Sequence, residues 1–231
     1  MVNGQVSVIT IDGPSGSGKG TISRLLANEL GWHFLDSGAL YRLVALAARR
    51  HAIPFDDATG LQMLAAHLDV QFVSDESGQE TRILLEGEEV ANAVRSEECG
   101  NDASKVAVIQ NVRDALLERQ RAFLQSPGLV ADGRDMGTAI FPSAKLKIFL
   151  DASLDERASR RYKQLRGKGI DVNIDSLFDE LAERDRRDRS RTVSPLKPAA
   201  DAVMIDSSTL GIQDVLVQVL ALWQKMQKIE K

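Results

Sequence analysis

Four glycines surround one lysine in residues 11–23 (IDGPSGSGKGTIS), between an apolar run and an amphipathic run. The spacing from Gly13 to Lys19 matches the phosphate-binding pattern G-x-x-x-x-G-K. Glycines let backbone N–H groups converge on phosphate oxygens, and a lysine supplies a mobile positive charge for the β- and γ-phosphates. The alternative is a glycine-rich turn with an exposed lysine. A strand pattern before the loop and a helix pattern after it favour the phosphate site.

The residue after Lys19 departs from this pattern. The usual Ser or Thr is replaced by Gly20, and a hydroxyl follows only at Thr21. In GTPases and motors that hydroxyl holds the magnesium ion. The displaced hydroxyl therefore weakens an assignment to those classes.

A basic segment lies inside an acidic chain. The 231 residues carry a net charge of −4, whereas residues 157–191 carry eleven Lys or Arg and seven Asp or Glu, a net of +4. Such a segment is either a solvated helix face or the binding site of a local anion. The direction of its arginines decides between the two.

Helical spacing places part of this charge on buried faces. Leu177 and Leu181 begin a stripe that continues through Arg184, Asp188 and Arg191. The arginines predicted to face mainly outward are Arg186, Arg187 and Arg189.

Two further arginines share apolar faces. Arg161 lies on the stripe of Leu154, Ala158 and Leu165 in the preceding helix. Arg113 lies on the apolar face of a predicted helix over residues 104–124, formed by Val106, Ile109, Leu116, Leu117 and Leu124. An inward arginine snorkels, forms a structural ion pair or meets a buried anion. Several together favour a polyanionic ligand, because like charges do not gather without one.

The elements that must position these residues alternate between strand and helix patterns. Residues 6–12 predict a buried parallel strand, and the helix after the glycine loop is expected to end at Gly31. The middle of the chain, residues 61–103, is predicted to be a β-rich insertion with strands at 68–73 and 81–90 and a turn over 74–80. The remaining predictions are helices at 39–50, 104–124, 154–165 and 175–189, strands at 128–137 and 145–153, a last strand, and a C-terminal helix through Ile212, Leu216, Leu220 and Trp223. This alternation is typical of a doubly wound α/β fold.

Composition excludes several other classes. Hydrophobic residues are 43% and charged residues 27%, as in a soluble globular protein, and no apolar run approaches a membrane span. The N-terminus is not typical of a secretory signal, and the single Cys99 fits a reducing cytoplasm. Net acidity without interleaved aromatic residues argues against nucleic-acid binding. His33, His51 and His67 lack metal-ligand spacing, so they are interpreted as structural.

Five motifs together resemble the bacterial cytidylate kinase family of P-loop nucleoside monophosphate kinases. In chain order they are TIDGPSGSGKGT, LDSGALYR, ADGRDMGT, KIFLDAS and ERDRRDRSR. The resemblance covers nearly the whole chain, and the pair DGRDMG and RDxxDxxR is more specific than the glycine loop. It implies an α/β P-loop kinase core with a parallel sheet flanked by helices, a β-containing monophosphate-binding insertion and a short helical lid. The implied divisions are core at 1–60, insertion at 61–103, core at 104–153, lid region at 154–175 and core at 176–231.

The resemblance also implies roles for individual residues. The ATP phosphates would be bound by Gly13, Pro14, Ser15, Gly16, Ser17, Gly18, Lys19, Gly20 and Thr21. The acceptor nucleotide would be bound by Ser37, Tyr41, Ser104, Arg113, Arg134, Asp135, Arg184, Asp188 and Arg191. Among these, Ser37, Asp135 and Arg113 would read the base, Tyr41 would line the monophosphate pocket, Arg134 and Arg191 would hold the phosphate, and Ser104, Arg184 and Asp188 would contact the sugar region. Arg157, Arg160 and Arg161 fall in the helix leading into the lid.

Several of these positions also have purely structural interpretations. Ser37 and Ser104 suit helix N-caps, and Tyr41 suits a core position. Asp135 would serve equally as a partner for Arg134. Asp151 is either a helix-start residue or a contact of the magnesium shell.

The implied reaction is direct in-line transfer of the ATP γ-phosphoryl group to CMP or dCMP, with Mg²⁺. Lys19, Arg161, Arg184 and Arg191 are the predicted catalytic residues, and no protein ligand of the metal is predicted. A cytoplasmic monomer without nucleic-acid or membrane partners is expected. The alternatives are a related kinase acting on UMP, AMP or shikimate, and a nucleotide-dependent switch protein without an acceptor.

Overall fold

The computed structural model describes residues 6–74 and 81–229, and the predicted turn over 74–80 lies almost wholly outside this part of the chain. The described elements in chain order are β1 (Ser7–Asp12), α1 (Lys19–Leu30), β2 (His33–Asp36), α2 (Ser37–Arg50), α3 (Ala58–Ala66), β3 (Val70–Ser74), β4 (Thr81–Leu85), β5 (Glu88–Glu89), α4 (Ala91–Val94), α5 (Glu97–Val106), α6 (Gln110–Arg121), β6 (Gly128–Gly133), a π-helical turn (Met136–Ile140), β7 (Leu146–Asp151), α7 (Leu154–Arg166), α8 (Ile174–Ser190), β8 (Val203–Asp206) and α9 (Ile212–Ile229). Two compact units contain them, one formed by residues 1–36 and 120–231 and the other by residues 37–119.

The first unit is built on a parallel sheet of five strands in the order β2-β6-β1-β7-β8. The apolar β-branched run of β1 makes it the central strand, and Ile9 and Ile11 are fully buried. The helices α1 and α9 pack together, and α9 also packs on β7. Trp32 and Trp223 meet edge to face with ring centroids 5.1 Å apart. The predicted α/β fold with a parallel sheet is confirmed.

Helix signals in the sequence correspond closely to the observed ends in this unit, but the predicted strand over 128–137 is too long, because β6 ends at Gly133 and the π-helical turn begins at Met136. Gly31 takes the left-handed conformation (φ 64°) after α1, as expected for a helix C-terminus. Asn173 accepts hydrogen bonds from Asp175 N and Ser176 N, which fixes the start of α8.

The second unit contains an antiparallel sheet in the order β3-β4-β5, with a turn at Glu86 and Gly87 inside the predicted strand over 81–90. The prediction that residues 61–103 are β-rich is wrong outside residues 70–89, because α3, α4 and α5 occupy most of the rest. The helix α2 packs against α3, α4 and α5. The predicted insertion lies wholly inside this unit, which begins earlier, at Ser37, and ends later, at Arg119.

The predicted single helix over 104–124 is also wrong. The chain breaks at residues 107–109, between α5 and α6, where Ile109 N donates to Val106 O in a tighter i to i−3 bond. The Arg113 guanidinium donates to Ala107 O at 3.3 Å, which satisfies a carbonyl left over at the end of α5. Leu124, predicted to be buried, is 36% exposed.

Among the helices within residues 6–74 and 81–229, none is long and apolar enough to cross a membrane.

Candidate active site

The carboxyl ends of three neighbouring parallel strands carry an aspartate each. β1 ends at Asp12, β2 ends at Asp36, and Asp132 lies one residue before the end of β6. The strand register pairs Asp36 with Asp132 and Asp12 with Gly133. Ligands of open α/β sheets bind outside this edge, where the strand order switches direction. The glycine loop begins at this same edge, directly after Asp12.

The loop backbone approaches its surroundings too closely for side chains. A Cβ on Gly13 would lie 2.0 Å from Leu150 O, and Gly16 and Gly18 take left-handed conformations with φ of 81° and 91°. The loop runs into α1 at Lys19, so the positive end of that helix adjoins it. This geometry is typical of a phosphate-binding helix N-terminus.

Lys19 is held within the loop rather than in solvent. Its Nζ donates to Pro14 O at 3.0 Å, and the residue is only 8% exposed. Burial lowers the pKa of the Lys19 ammonium to about 8, and the nearby cations Arg134 and Arg184 lower it further against the opposing effect of Asp132. The alternative of an exposed lysine is wrong. A bound polyanion would relieve this desolvated charge.

The side chain of Asp132 explains why position 20 is a glycine rather than the usual Ser or Thr. A Cβ on Gly20 would lie 3.1 Å from Asp132 Oδ2, so the carboxylate takes up the space beside the loop. Asp132 is 5% exposed, and its Oδ1 has no hydrogen-bond partner among the described residues. Burial raises the pKa of Asp132 to about 7, although Lys19 and Arg134 oppose that rise. Thr21, predicted to bind phosphate, is exposed.

Two arginines of α7 hold the loop from its carbonyl side. Arg157 donates from Nη1 to Ser15 O at 3.0 Å and forms a bidentate pair with Asp185 of α8. Arg160 donates from Nη1 to Ser17 O at 3.4 Å. The Ser207 hydroxyl lies 3.1 Å from Ser17 O. Carbonyls held in this way leave the N–H face of the loop available to an anion.

Sequence reasoning assigned no loop-binding role to Arg157, Arg160 or Ser207. Arg157 follows Leu154 by three residues and precedes Ala158, so its helical position already pointed inward. Asp12 and Asp132 stand at or near the ends of apolar strand patterns, and this position is the signal by which the sequence could have indicated them as site residues.

A single carboxylate holds two of the predicted phosphate-binding arginines. Asp188 of α8 accepts from Arg134 Nε at 2.9 Å, and Arg191 Nη2 lies 3.2 Å from its other oxygen. Burial raises the pKa of Asp188, but Arg134, Arg191 and Arg184 lower it more, so the net pKa lies below the ordinary value. Asp188 and Arg191 are buried, as the helical stripe predicted, and Arg184 is half-buried.

Arg161 is half-buried and donates to Gln164 Oε1 at 2.6 Å on its own helix.

Four of the predicted acceptor residues lie in the second unit, and all four are buried: Ser37, Tyr41, Ser104 and Arg113. Ser37 and Tyr41 are one turn apart at the start of α2. The Arg113 guanidinium lies 5.8 Å from the centroid of the Tyr41 ring. Ser104 is on α5, which packs against α2.

The described side chains include no group of three His, Cys, Asp or Glu that could hold a metal ion. The loop offers no hydroxyl at position 20, and a buried carboxylate oxygen beside it, Asp132 Oδ1, has no hydrogen-bond partner within residues 6–74 and 81–229. These residues fit a magnesium ion held mainly by nucleotide phosphates, with Asp132 as a protein carboxylate beside the loop.

Comparisons with known proteins show the family of this chain. The chain is 60% identical over 213 residues to a cytidylate kinase of Shewanella denitrificans, covering 92% of this chain and 94% of that protein. It is 61% identical over 214 residues to a cytidylate kinase of Pseudomonas savastanoi, covering 93% of each. The crystal structure of an uncharacterized protein from Eubacterium ventriosum shares the fold at 11% identity, with a TM-score of 0.50, 96% of this chain and 99% of that chain covered. A family profile described as cytidylate kinase matches residues 9–225, and the chain belongs to that family, whose members are nucleoside monophosphate kinases.

Proposed function

We propose that this enzyme transfers the γ-phosphoryl group of ATP to CMP or dCMP, giving ADP and CDP or dCDP. The observation that carries the proposal is the cluster of Arg134, Asp188 and Arg191 in the unit that also holds the glycine loop. A loop for one polyphosphate and an arginine pair for a second phosphate are what two anionic substrates require.

The donor phosphates bind to the loop from Gly13 to Gly20. Backbone N–H groups and the start of α1 provide dipoles, and Lys19 provides the charge nearest the β- and γ-phosphates. Phosphate oxygens replace Pro14 O as partners of Lys19 Nζ when ATP binds. Arg157 and Arg160 keep the loop carbonyls turned away from the phosphates.

The acceptor phosphate binds to Arg134 and Arg191. Asp188 aligns the two guanidinium groups, so their planar forks are ordered before the substrate arrives. Arg184 adds positive charge near Lys19 and Asp188, where the transferring group would carry its highest negative charge.

Base recognition falls to Asp135, Ser37 and Arg113. An ionised carboxylate accepts hydrogen bonds, and the exocyclic amino group of cytosine donates them. Uracil lacks that donor, so UMP is a poor acceptor. Tyr41 lines the monophosphate pocket, and Ser104, Arg184 and Asp188 contact the sugar region.

The transfer itself needs positioning and charge neutralisation more than a strong base. A phosphate oxygen of CMP attacks the γ-phosphorus in line, and the bond from that phosphorus to the β-phosphate oxygen breaks to release ADP. Mg²⁺ bound with ATP supplies additional charge neutralisation on the phosphate oxygens. The chain's own contribution is the predicted catalytic set of Lys19, Arg161, Arg184 and Arg191, together with Arg134, which offsets repulsion between the two nucleotides.

We also propose ATP with Mg²⁺ as the donor, a monomeric enzyme and a cytoplasmic location. The first rests on the loop and the carboxylate of Asp132, and the last on the single buried Cys99.

The test measures ADP production from ATP and Mg²⁺ with CMP, dCMP, UMP, AMP or shikimate in separate reactions. We expect turnover on CMP and dCMP that far exceeds turnover on the other three. Asp135→Ala is expected to reduce kcat/KM for CMP, whereas the exposed control Asp179→Ala keeps the wild-type preference for CMP. Equal turnover on UMP would refute the proposed base recognition, and ATP binding without turnover on any acceptor would refute the kinase proposal.

A further inference from the structure

The segment that follows Arg134 and Asp135 is a π-helical turn rather than an α-helix. Ala139 N and Ile140 N both reach Asp135 O, at 2.8 and 3.3 Å, and Phe141 N donates to Met136 O at 2.7 Å. Single π-helical turns are rare and concentrate at functional sites. The first N–H groups of such a turn have no partner within the turn itself.

Asp12 supplies the partners for those first N–H groups. Its Oδ1 accepts from Met136 N and its Oδ2 accepts from Gly137 N, both at 2.8 Å. The residue is 4% exposed and lies 124 and 125 positions earlier in the chain. Burial raises the pKa of Asp12 to about 7 even though these two N–H groups and Arg134 lower it. A carboxylate that is costly to bury is therefore held in place by two backbone bonds.

The position of Asp12 in the chain connects two halves of the site. It ends β1, and the next residue is Gly13, the first of the phosphate loop. Its side chain binds the turn whose two preceding residues are Arg134 and Asp135. Asp12 thus joins the backbone of the phosphate loop to the backbone of the π-helical turn.

Packing also constrains this junction. A Cβ on Gly137 would lie 2.9 Å from Thr10 Oγ1, and a Cβ on Gly13 would lie 2.0 Å from Leu150 O. Neither glycine has room for a Cβ, so both backbone segments pack closely against strands β1 and β7 beside the Asp12 side chain.

We propose that Asp12 is a positioning residue for the phosphoryl acceptor, which holds Arg134 and Asp135 at a fixed register to the donor loop through Met136 N and Gly137 N. The inference rests on the proposed function, because Arg134 and Asp135 are taken as acceptor contacts there. The inference extends the proposed function, because it assigns discrimination between pyrimidine bases to a residue that touches neither substrate.

Replacing Asp12 by asparagine removes one of the two oxygen atoms that accept hydrogen bonds from the turn. An asparagine at position 12 has one carbonyl oxygen for two N–H groups, and its own amide N–H₂ would face one of them. The turn must then move, and Asp135 moves with it. The donor loop keeps its own supports, since Lys19, Arg157 and Arg160 bind loop carbonyls independently of Asp12.

The test compares Asp12→Asn with the wild type and with the control Asp179→Asn, an exposed carboxylate of the same unit. The quantities are kcat and KM for CMP and UMP, and the Kd of a non-hydrolysable ATP analogue by calorimetry. We expect a CMP KM raised by about tenfold or more, a reduced preference for CMP over UMP, and an ATP-analogue Kd within about threefold of the wild type. An unchanged preference for CMP over UMP would overturn the proposal, as would parallel losses of ATP and CMP affinity.

A second measurement uses the wild-type enzyme and stands even where the variant does not fold. Amide hydrogen exchange at Met136 and Gly137 is expected to be slow without ligand and slower with CMP. Rapid exchange at both amides would overturn the assignment of Asp12. Failure of the wild type to use CMP would instead refute the proposed function, which separates the two results.

Discussion

Replacing Asp132 by asparagine should make the folded protein more stable at pH 8 while it lowers activity. Asp132 is 5% exposed, and its Oδ1 has no hydrogen-bond partner among the described residues. Burial raises its pKa from 3.8 to about 7. The ionised carboxylate is therefore better solvated in the unfolded chain than in the folded one, and Asp132→Asn removes that difference.

The magnitude follows from the shift of the pKa. About three units at 1.36 kcal/mol per unit give an upper bound of about 4 kcal/mol at pH 8. The size of this destabilisation depends on pH, because a raised carboxyl pKa penalises the folded state only where the group ionises. The cost begins near pH 4, grows up to pH 7 and is constant above it. At pH 5 the same shift amounts to about 1.5–2 kcal/mol, so the two pH values differ by about 2.5 kcal/mol.

The assay is urea unfolding of the wild type and Asp132→Asn at pH 5 and pH 8, with kcat measured at pH 8. A change in packing caused by the substitution is the same at both pH values and cancels in their difference. Asp12→Asn is the matched control, since Asp12 has a pKa of about 7 as well, but its carboxylate accepts two backbone N–H bonds. Loss of those bonds offsets the gain, so its stabilisation at pH 8 should be smaller or reversed.

Equal effects of Asp132→Asn at pH 5 and pH 8 would refute the reasoning, because the cost would then not come from ionisation. A variant less stable than the wild type at pH 8 would refute it as well. Higher stability with lower kcat would mark Asp132 as a residue kept for function at the expense of the fold.

Two further predictions concern the phosphate loop. Because the pKa of Lys19 is lowered to about 8, the affinity for ATP measured by calorimetry should fall by up to about tenfold from pH 7 to pH 9, and a flat profile would contradict a charged Lys19 at the phosphates. Arg157→Lys replaces a planar group that binds Asp185 and Ser15 O together, so we expect a loss of about 1–3 kcal/mol in unfolding free energy and a raised KM for ATP. The exposed control Arg166→Lys should change neither quantity, and identical behaviour of the two variants would contradict the role of Arg157.

Local patterns predicted much of the first unit. The run of β-branched residues in β1, the glycines with Lys19 and the end of α1 at Gly31 are all determined within about ten residues of the chain. The stripe through Leu181 and Asp188 also needed only helical geometry. Such features are predictable because backbone sterics and periodicity act between near neighbours.

Periodicity was misleading where a side chain of the next helix stabilises a break in the helix. Residues 104–124 contain no glycine or proline, and the apolar spacing continues across residues 107–109. The break there is stabilised by the side chain of Arg113, which reaches Ala107 O. The β-rich prediction for 61–103 was wrong for a related reason, since strand patterns at 70–89 were extended into α3 and α5.

The sequence by itself determined which chemical groups this enzyme has for phosphate: a glycine loop, Lys19 and a set of inward arginines. Only the tertiary structure decided how they are paired. Asp188 joins Arg134 from 54 residues away, Arg157 reaches Ser15 across 142 residues, and Asp12 binds Met136 across 124. Local propensity does not predict contacts between residues so far apart in the sequence, because these contacts form only when the parallel sheet brings the ends of its strands to one edge.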